Sequence, residues 1–170
     1  MRLLISDTNI LIDMESAALL ETLFKLPMEF GIPDLLYYEE IEPGSLDLES
    51  FGLNVMEVRG EFVAYAVSLP GLYNHLLPAK HGAKPSHNDY LALALAKQEN
   101  GTLATGDANL RIVATKEQVE ITGTIGILCA LVENQLLSVS EALLALDRMK
   151  VAKRRLPWGE AENRLNAMHR

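Results

Sequence analysis

The chain is poor in cysteine and aromatic residues: one cysteine, one tryptophan and four phenylalanines stand among 170 residues. A single Cys129 excludes an internal disulfide, and in the apolar run GILCALV it reads as a small core residue. A reducing cytoplasm is the expected location. No apolar run reaches the length of a membrane span, because the first one is interrupted by Asp7, Asn9 and Asp13. A secretory signal, with its basic start, long apolar stretch and small-residue cleavage site, is not expected either. There is no glycine-rich phosphate loop and no Ser/His/Asp constellation. His75, His81 and His87 fall six apart around a loop. They lack the spacing of a zinc finger or a metal-binding helix face, and read as exposed loop residues.

Positive charge is also scarce, with a formal total of −8, but it is unevenly placed. Residues 148–170 carry seven basic side chains against Glu160 and Glu162, a balance of +5, so the remaining residues hold −13. Such asymmetry marks a tail suited to polyanions, although a solvated helix face explains any one of these charges. An acidic body suits a site that holds divalent cations, which would reverse the local field.

With 49% hydrophobic and 22% charged residues the composition is that of an ordinary globular protein, long enough for one domain with a core. Its first stretch, LLISDTNILID, sends a short apolar run into Asp7, Thr8 and Asn9, as a buried parallel strand enters its βα loop. Apolar spacing then predicts a helix over 15–26, closed by Pro27, and a strand over 29–32. Pro33 and Asp34 open a helix through LLYYEEI. Residues 46–51 form a short helix or turn. Alternation over 53–58 predicts a half-buried or edge strand. Residues 60–77 read as helical in part, interrupted by Pro70 and Gly71, and 78–85 as a loop. Ser86, with Asp89 three residues on, caps a strong helix over 88–99. A strand over 102–105, a helix over 110–116, a last strand over 119–122 and helices over 126–134, 138–150 and 160–169 complete the chain. This alternation implies α/β architecture, a mainly parallel sheet with helices on both faces.

Four acids fall at element ends instead of on solvent-facing helix surfaces: Asp7, Glu40, Asp89 and Asp107. Each has a structural reading, as a helix cap or a turn residue. Together, at the ends of parallel strands, they would meet on one face. Four clustered carboxylates repel unless hard cations join them, and Mg²⁺ or Mn²⁺ with carboxylate and water ligands suits phosphodiester hydrolysis.

The ordered set ISDTNILI, PDLLYYEEI, SHNDYLALALA and LATGDANLR resembles the PIN-domain nucleases, and is close to the VapC-like toxins of prokaryotic toxin–antitoxin pairs. The segment ITGTIGILCALVENQLLS resembles one PIN subgroup that follows its last strand with further helices. The resemblance covers about residues 2–150 and implies a three-layer α/β fold with a basic C-terminal helical extension, 151–170, belonging to the same domain. It implies that Asp7, Glu40, Asp89 and Asp107 are the catalytic ligands of one or two Mg²⁺ or Mn²⁺ ions, with Glu39 competing for Glu40's place. Asn9 and Thr105 would orient ligands or water from behind them. Asn109 stands where many relatives have another acid; it offers an oxygen but no charge, which weakens a second metal position more than the first. The implied activity is metal-dependent RNA cleavage, with an antitoxin covering the cleft and a homodimer as the expected assembly. The rival reading is a PIN-like module that has lost catalysis and acts through a protein or RNA partner. A phosphotransfer or phosphatase domain fits less well, because its second acid would fall on Asn9. Lys153, Arg154 and Arg155 are candidates for RNA phosphates or an acidic antitoxin segment; His87 for a phosphate; Tyr37 and Tyr38 for base stacking.

Overall fold

In the computed structural model, which describes residues 2–5, 8–41 and 47–169, five strands form one all-parallel sheet in the order β3-β2-β1-β4-β5. The strands are β1 (Arg2–Ile5), β2 (Glu29–Pro33), β3 (Leu53–Met56), β4 (Thr102–Ala104) and β5 (Ile121–Thr122). The helices are α1 (Thr8–Ser16), α2 (Leu20–Leu23), α3 (Asp34–Leu36), α4 (Gly60–Tyr73), α5 (His87–Gln98), α6 (Ala108–Lys116), α7 (Thr124–Glu133), α8 (Val139–Val151) and α9 (Trp158–Asn166). Strand order runs outward one way from β1 to β3, then reverses at β4. The crevice between β1 and β4 is therefore the switch point at which open α/β sheets bind ligands. Ile5 pairs with Ala104, so the chain leaves both strands at one level.

Two apolar layers sandwich the sheet, as the expected three-layer α/β architecture requires. Leu103 faces the layer built by α4, α5 and α6, while the next residue, Ala104, faces the layer of α1, α2, α7, α8 and α9. This is the alternation a strand imposes. The helix α5 is the centre of its layer: Tyr90 to Ala96 are all buried. Leucine and alanine make that run a strong helix former, and burying each of its leucines contributes about 1.5–3 kcal/mol. Ser86 and Asp89 close a full capping box at its start, and Ser138 with Glu141 does the same for α8. Ala161 and Leu165 of α9 are fully buried in the core that α1 and α8 share.

The structure departs from the sequence expectations where tertiary packing overrides local signals. The helix expected over 15–26 is displaced: α1 starts at Thr8, directly behind the Asp7 loop, and ends at Ser16. Pro70 and Gly71 do not interrupt α4, which continues to Tyr73; Pro70 costs the helix one hydrogen bond, and packing against α5 holds the rest. The loop over 78–85 contains a 3-10 turn at Ala79–His81. After α3 the chain widens into a π-helical turn over Tyr37–Ile41, which carries Glu39 and Glu40; such turns are rare and recur at functional sites.

Five helix ends use left-handed residues that are not glycine: Ala18, Asn100, Gln118, Gln135 and Lys153, with φ between 50° and 61°. At Ala18 the Leu19 N–H donates to the Met14 carbonyl at 2.8 Å and the Ala18 N–H to the Glu15 carbonyl at 2.9 Å, which is the Schellman pattern. An L residue there is strained by roughly 1–2 kcal/mol. Ala18 is exposed, so Ala18→Gly relieves the strain and loses about 0.5–1 kcal/mol to unfolded-chain entropy. The expected net gain is about 0.5–1 kcal/mol, a rise of roughly 2 °C in Tm by differential scanning calorimetry.

Candidate active site

At the carboxyl end of the sheet, β4 runs through Thr105 and Gly106 into Asp107, the N-cap of α6. The fully buried Thr105 accepts the Asp107 N–H on its Oγ1 at 3.1 Å, and Asp107 Oδ1 accepts the Leu110 N–H at 2.9 Å. Asp89 sits in the first turn of α5, where its Oδ2 accepts the Ser86 N–H at 2.8 Å and Ser86 Oγ accepts the Asp89 N–H. Both acids therefore do act as helix caps. Asp107 Oδ2 meets no donor among the described residues.

These two acids sense one another. Burial is the largest influence raising the pKa of Asp89; the hydrogen bonds from Ser86 oppose it, and the negative charge of Asp107 adds to it. The buried Tyr90 behind them is pushed up to about 12 by burial and then by both carboxylates. The Glu39 carboxylate is joined to the same helix start, because Asn88 Nδ2 donates to Glu39 Oε2 at 2.7 Å. Glu40 follows it on the π turn, exposed. Asp7 lies outside the described residues, in the link between Ile5 and Thr8.

Asn109 is fully buried at the start of α6. Its Nδ2 donates to the Ala83 carbonyl at 3.0 Å, but its Oδ1 has no hydrogen-bond partner among the described residues. A buried acceptor left unsatisfied costs about 1–3 kcal/mol, and a water or a cation would remove that cost. Asp89, Asp107 and Asn109 each carry hard oxygen donors, the type that Mg²⁺ and Mn²⁺ prefer. Among the described residues no three acidic, histidine or cysteine side chains form a metal-binding group.

Asn9 stands at the start of α1. It lines a cleft of about 660 Å³ that runs from Asp107 to the turn between α8 and α9. There Arg154 Nη2 donates to Asn9 Oδ1 at 3.2 Å and to its backbone carbonyl at 3.4 Å. Arg154 Nε donates to Asp13 Oδ1 at 2.6 Å, while Thr124 Oγ1 donates to Asp13 Oδ2 at 2.6 Å. Asp13, 6% exposed, is thus the hub that ties α1 to α7 and to the α8–α9 turn. Sequence reasoning missed this hub and assigned Arg154 to a partner; the structure shows Arg154 engaged inside the protein. The one available signal was Asp13 on an otherwise apolar stripe of α1, three residues after Ile10. Its partner, 141 residues away, left no local trace.

Gly126, in the segment ITGTIGIL, is explained by close approach. A Cβ there would overlap Thr122 Oγ1, so glycine lets α7 pack against the end of β5. Gly123, just before α7, lies beside Arg111 Nη1 and the Thr105 carbonyl, and keeps the cleft floor thin behind Asp107.

A parallel sheet of order 3-2-1-4-5, with Asp107 following β4 at its switch point, defines an α/β protein of the open-sheet class. The profile of a family described as a PIN domain matches residues 3–170, and the chain belongs to that family. No curated protein matches the chain. PIN domains are generally nucleases, hydrolases of phosphodiester bonds that use divalent metal ions. No helix among the described residues is long and apolar enough to cross a membrane.

Proposed function

We propose that the protein is a metal-dependent endoribonuclease whose ions are held by Asp7, Glu40, Asp89 and Asp107. The observation that carries the reading is the pairing of Asp89 with Asp107. The two carboxylates lie within electrostatic range of one another, and Asn109, two residues after Asp107, keeps a buried Oδ1 without a described partner. When bound, Mg²⁺ or Mn²⁺ supplies the positive charge that offsets negative charge developing on the phosphate as water attacks. The residues themselves do the positioning. Ser86 and the first turn of α6 fix the two carboxylates, Thr105 holds the backbone of Asp107, and Arg154 fixes Asn9. Glu39, tied to Asn88, anchors the π turn on which Glu40 follows it.

The biological setting we propose is a toxin neutralised by an antitoxin, acting as a homodimer. Exposed Val67, Leu72 and Leu76, on α4 and the turn after it, supply apolar surface of the kind that assembly covers.

Cleavage of a panel of single-stranded and structured RNAs, with Mn²⁺, Mg²⁺ or EDTA, tests the activity. Asp107→Asn is the informative variant because asparagine caps a helix as well as aspartate. Its fold is expected to be unchanged by circular dichroism, while metal-dependent cutting is lost, as it is in Asp7→Asn. Wild-type cutting by both variants would refute the ligand assignment. Absence of cutting by the wild type, together with no Mn²⁺ binding by calorimetry, would replace it with a non-catalytic binding module.

A further inference from the structure

The cleft beside Asp107 is lined by charges of both signs. Gly106 and Asp107 come from the link between β4 and α6, Lys153 and Arg155 from the α8–α9 turn, Arg164 from α9 and Arg111 from α6. Arg154 lies among them but is neutralised by Asp13. Among the described residues the remaining cations outnumber Asp107 and Glu160, the other acids that line the cleft, in a protein whose total is −8. Lys153, Arg155 and Arg164 are exposed, and no described carboxylate forms an ion pair with any of them or with Arg111.

The placement of these cations is built by the fold. Lys153 adopts the left-handed conformation (φ 61°) that ends α8, with the Arg154 N–H donating to the Met149 carbonyl at 3.0 Å. That turn sends Arg154 inward to Asp13 and leaves its two neighbours, Lys153 and Arg155, in the cleft. The buried ion pair is thus a rivet that holds a cationic ridge at a set distance from the acids.

We propose that this cleft is a phosphate track. Lys153, Arg155 and Arg164, with Arg111, bind the backbone phosphates of a single-stranded RNA next to the one positioned at Asp107. The inference rests on the nuclease reading for its substrate. It adds that the C-terminal helices contact that substrate, and that affinity resides there rather than at the acids. The presence of unpaired cations in the cleft that also holds Asp107 favours this ligand: phosphates beyond the cut need cations, while the phosphate at the acids would be met by a bound metal. A cleft built for an acidic peptide has no need to open onto Asp107.

The test is binding of a short, fluorescein-labelled, mixed-sequence single-stranded RNA, read by anisotropy in EDTA so that no cleavage intervenes. The variant Lys153→Gln/Arg155→Gln/Arg164→Gln is compared with the wild type and with a charge-matched control, Lys25→Gln/Lys80→Gln/Lys116→Gln, whose sites lie outside the cleft. Thermal melts establish that all three proteins are folded. Loss of three phosphate contacts is expected to flatten the slope of log K against log salt by about 2 and to weaken binding at least about tenfold at physiological salt. The control keeps wild-type affinity and slope.

Equal loss in both variants would overturn the track, since the effect would then be general charge alone. So would a wild type that ignores the RNA, or one that binds a Glu-rich peptide through these residues instead. RNA binding that depends on the track, in a protein that cuts nothing with Mn²⁺, would leave this inference standing and refute the nuclease reading. Metal-dependent cutting with unchanged RNA affinity in the triple variant would do the reverse.

Discussion

Asp89→Asn is expected to abolish cleavage and, in the metal-free protein, to become progressively more stabilising relative to wild type as pH rises. Burial and the charge of Asp107 both raise the Asp89 pKa above its ordinary 3.8, against the opposing hydrogen bonds from Ser86. A carboxylate whose folded pKa is raised binds its proton more tightly in the folded state than in the unfolded chain. Stability attached to that proton is present below 3.8 and is lost as pH climbs through the raised value. Asparagine carries no such penalty, and its side-chain oxygen can still accept the Ser86 N–H. The difference in Tm, variant minus wild type, should therefore grow from acid to neutral pH. Adding Mn²⁺ should reverse the order, because a ligand bound at a hundred times its Kd stabilises the wild type by about 2.7 kcal/mol and the variant much less. Loss of several kcal/mol of transition-state stabilisation corresponds to a fall in rate on the order of a thousandfold. A difference in Tm that shrinks with pH, or cleavage retained, would refute this account. The acid pair would then be a structural cap only.

Arg154→Leu is expected to be the most destabilising exchange of a charged residue in the C-terminal segment. It leaves Asp13, 6% exposed, with only the Thr124 hydroxyl as a described partner. Breaking a buried pair by removing one member costs about 3–5 kcal/mol. With the Arg154 side chain 24% exposed, the lower end applies, and roughly 3 kcal/mol lowers Tm by about 6–12 °C in a domain of this size. Asp13→Asn in the same background should recover part of the loss, since an amide oxygen still accepts from Thr124 without an unpaired charge. Cleavage in Arg154→Leu should fall further than folding accounts for, because Asn9 loses the guanidinium that fixes its side chain. Urea denaturation of the single and double variants checks the energetics. Additive losses would mean that Asp13 and Arg154 do not act as a pair.

The elements that could be read from the chain were those whose signals are local. The two capping boxes, Ser86 with Asp89 and Ser138 with Glu141, occur where the sequence marks them, because a cap needs residues three positions apart and nothing else. Apolar runs marked the strands near their observed bounds, and β3, whose pattern alternates, is the half-buried edge. Elements that were misread depend on distant partners. Ala18 carries no helix-stop signal, yet α1 ends two residues before it because Leu19 and Leu23 turn back into the core. Pro70 reads as a breaker, but α5 supports α4 on both sides of it.

The same division holds at the candidate site. The sequence by itself determined the class of chemistry. Alternation of β and α elements makes the sheet parallel, and the motif order marked the chain as a PIN domain, a class that is generally nuclease. Tertiary structure decided what each polar side chain does within that frame. Asp89 and Asp107 proved to be caps and neighbours at once, and Asn109 became a buried acceptor lacking a described donor. Of three consecutive basic residues, Arg154 went inward to Asp13 while Lys153 and Arg155 stayed in the cleft. No local pattern can sort them, because the choice is made by a left-handed turn at Lys153 and by a carboxylate near the other end of the chain.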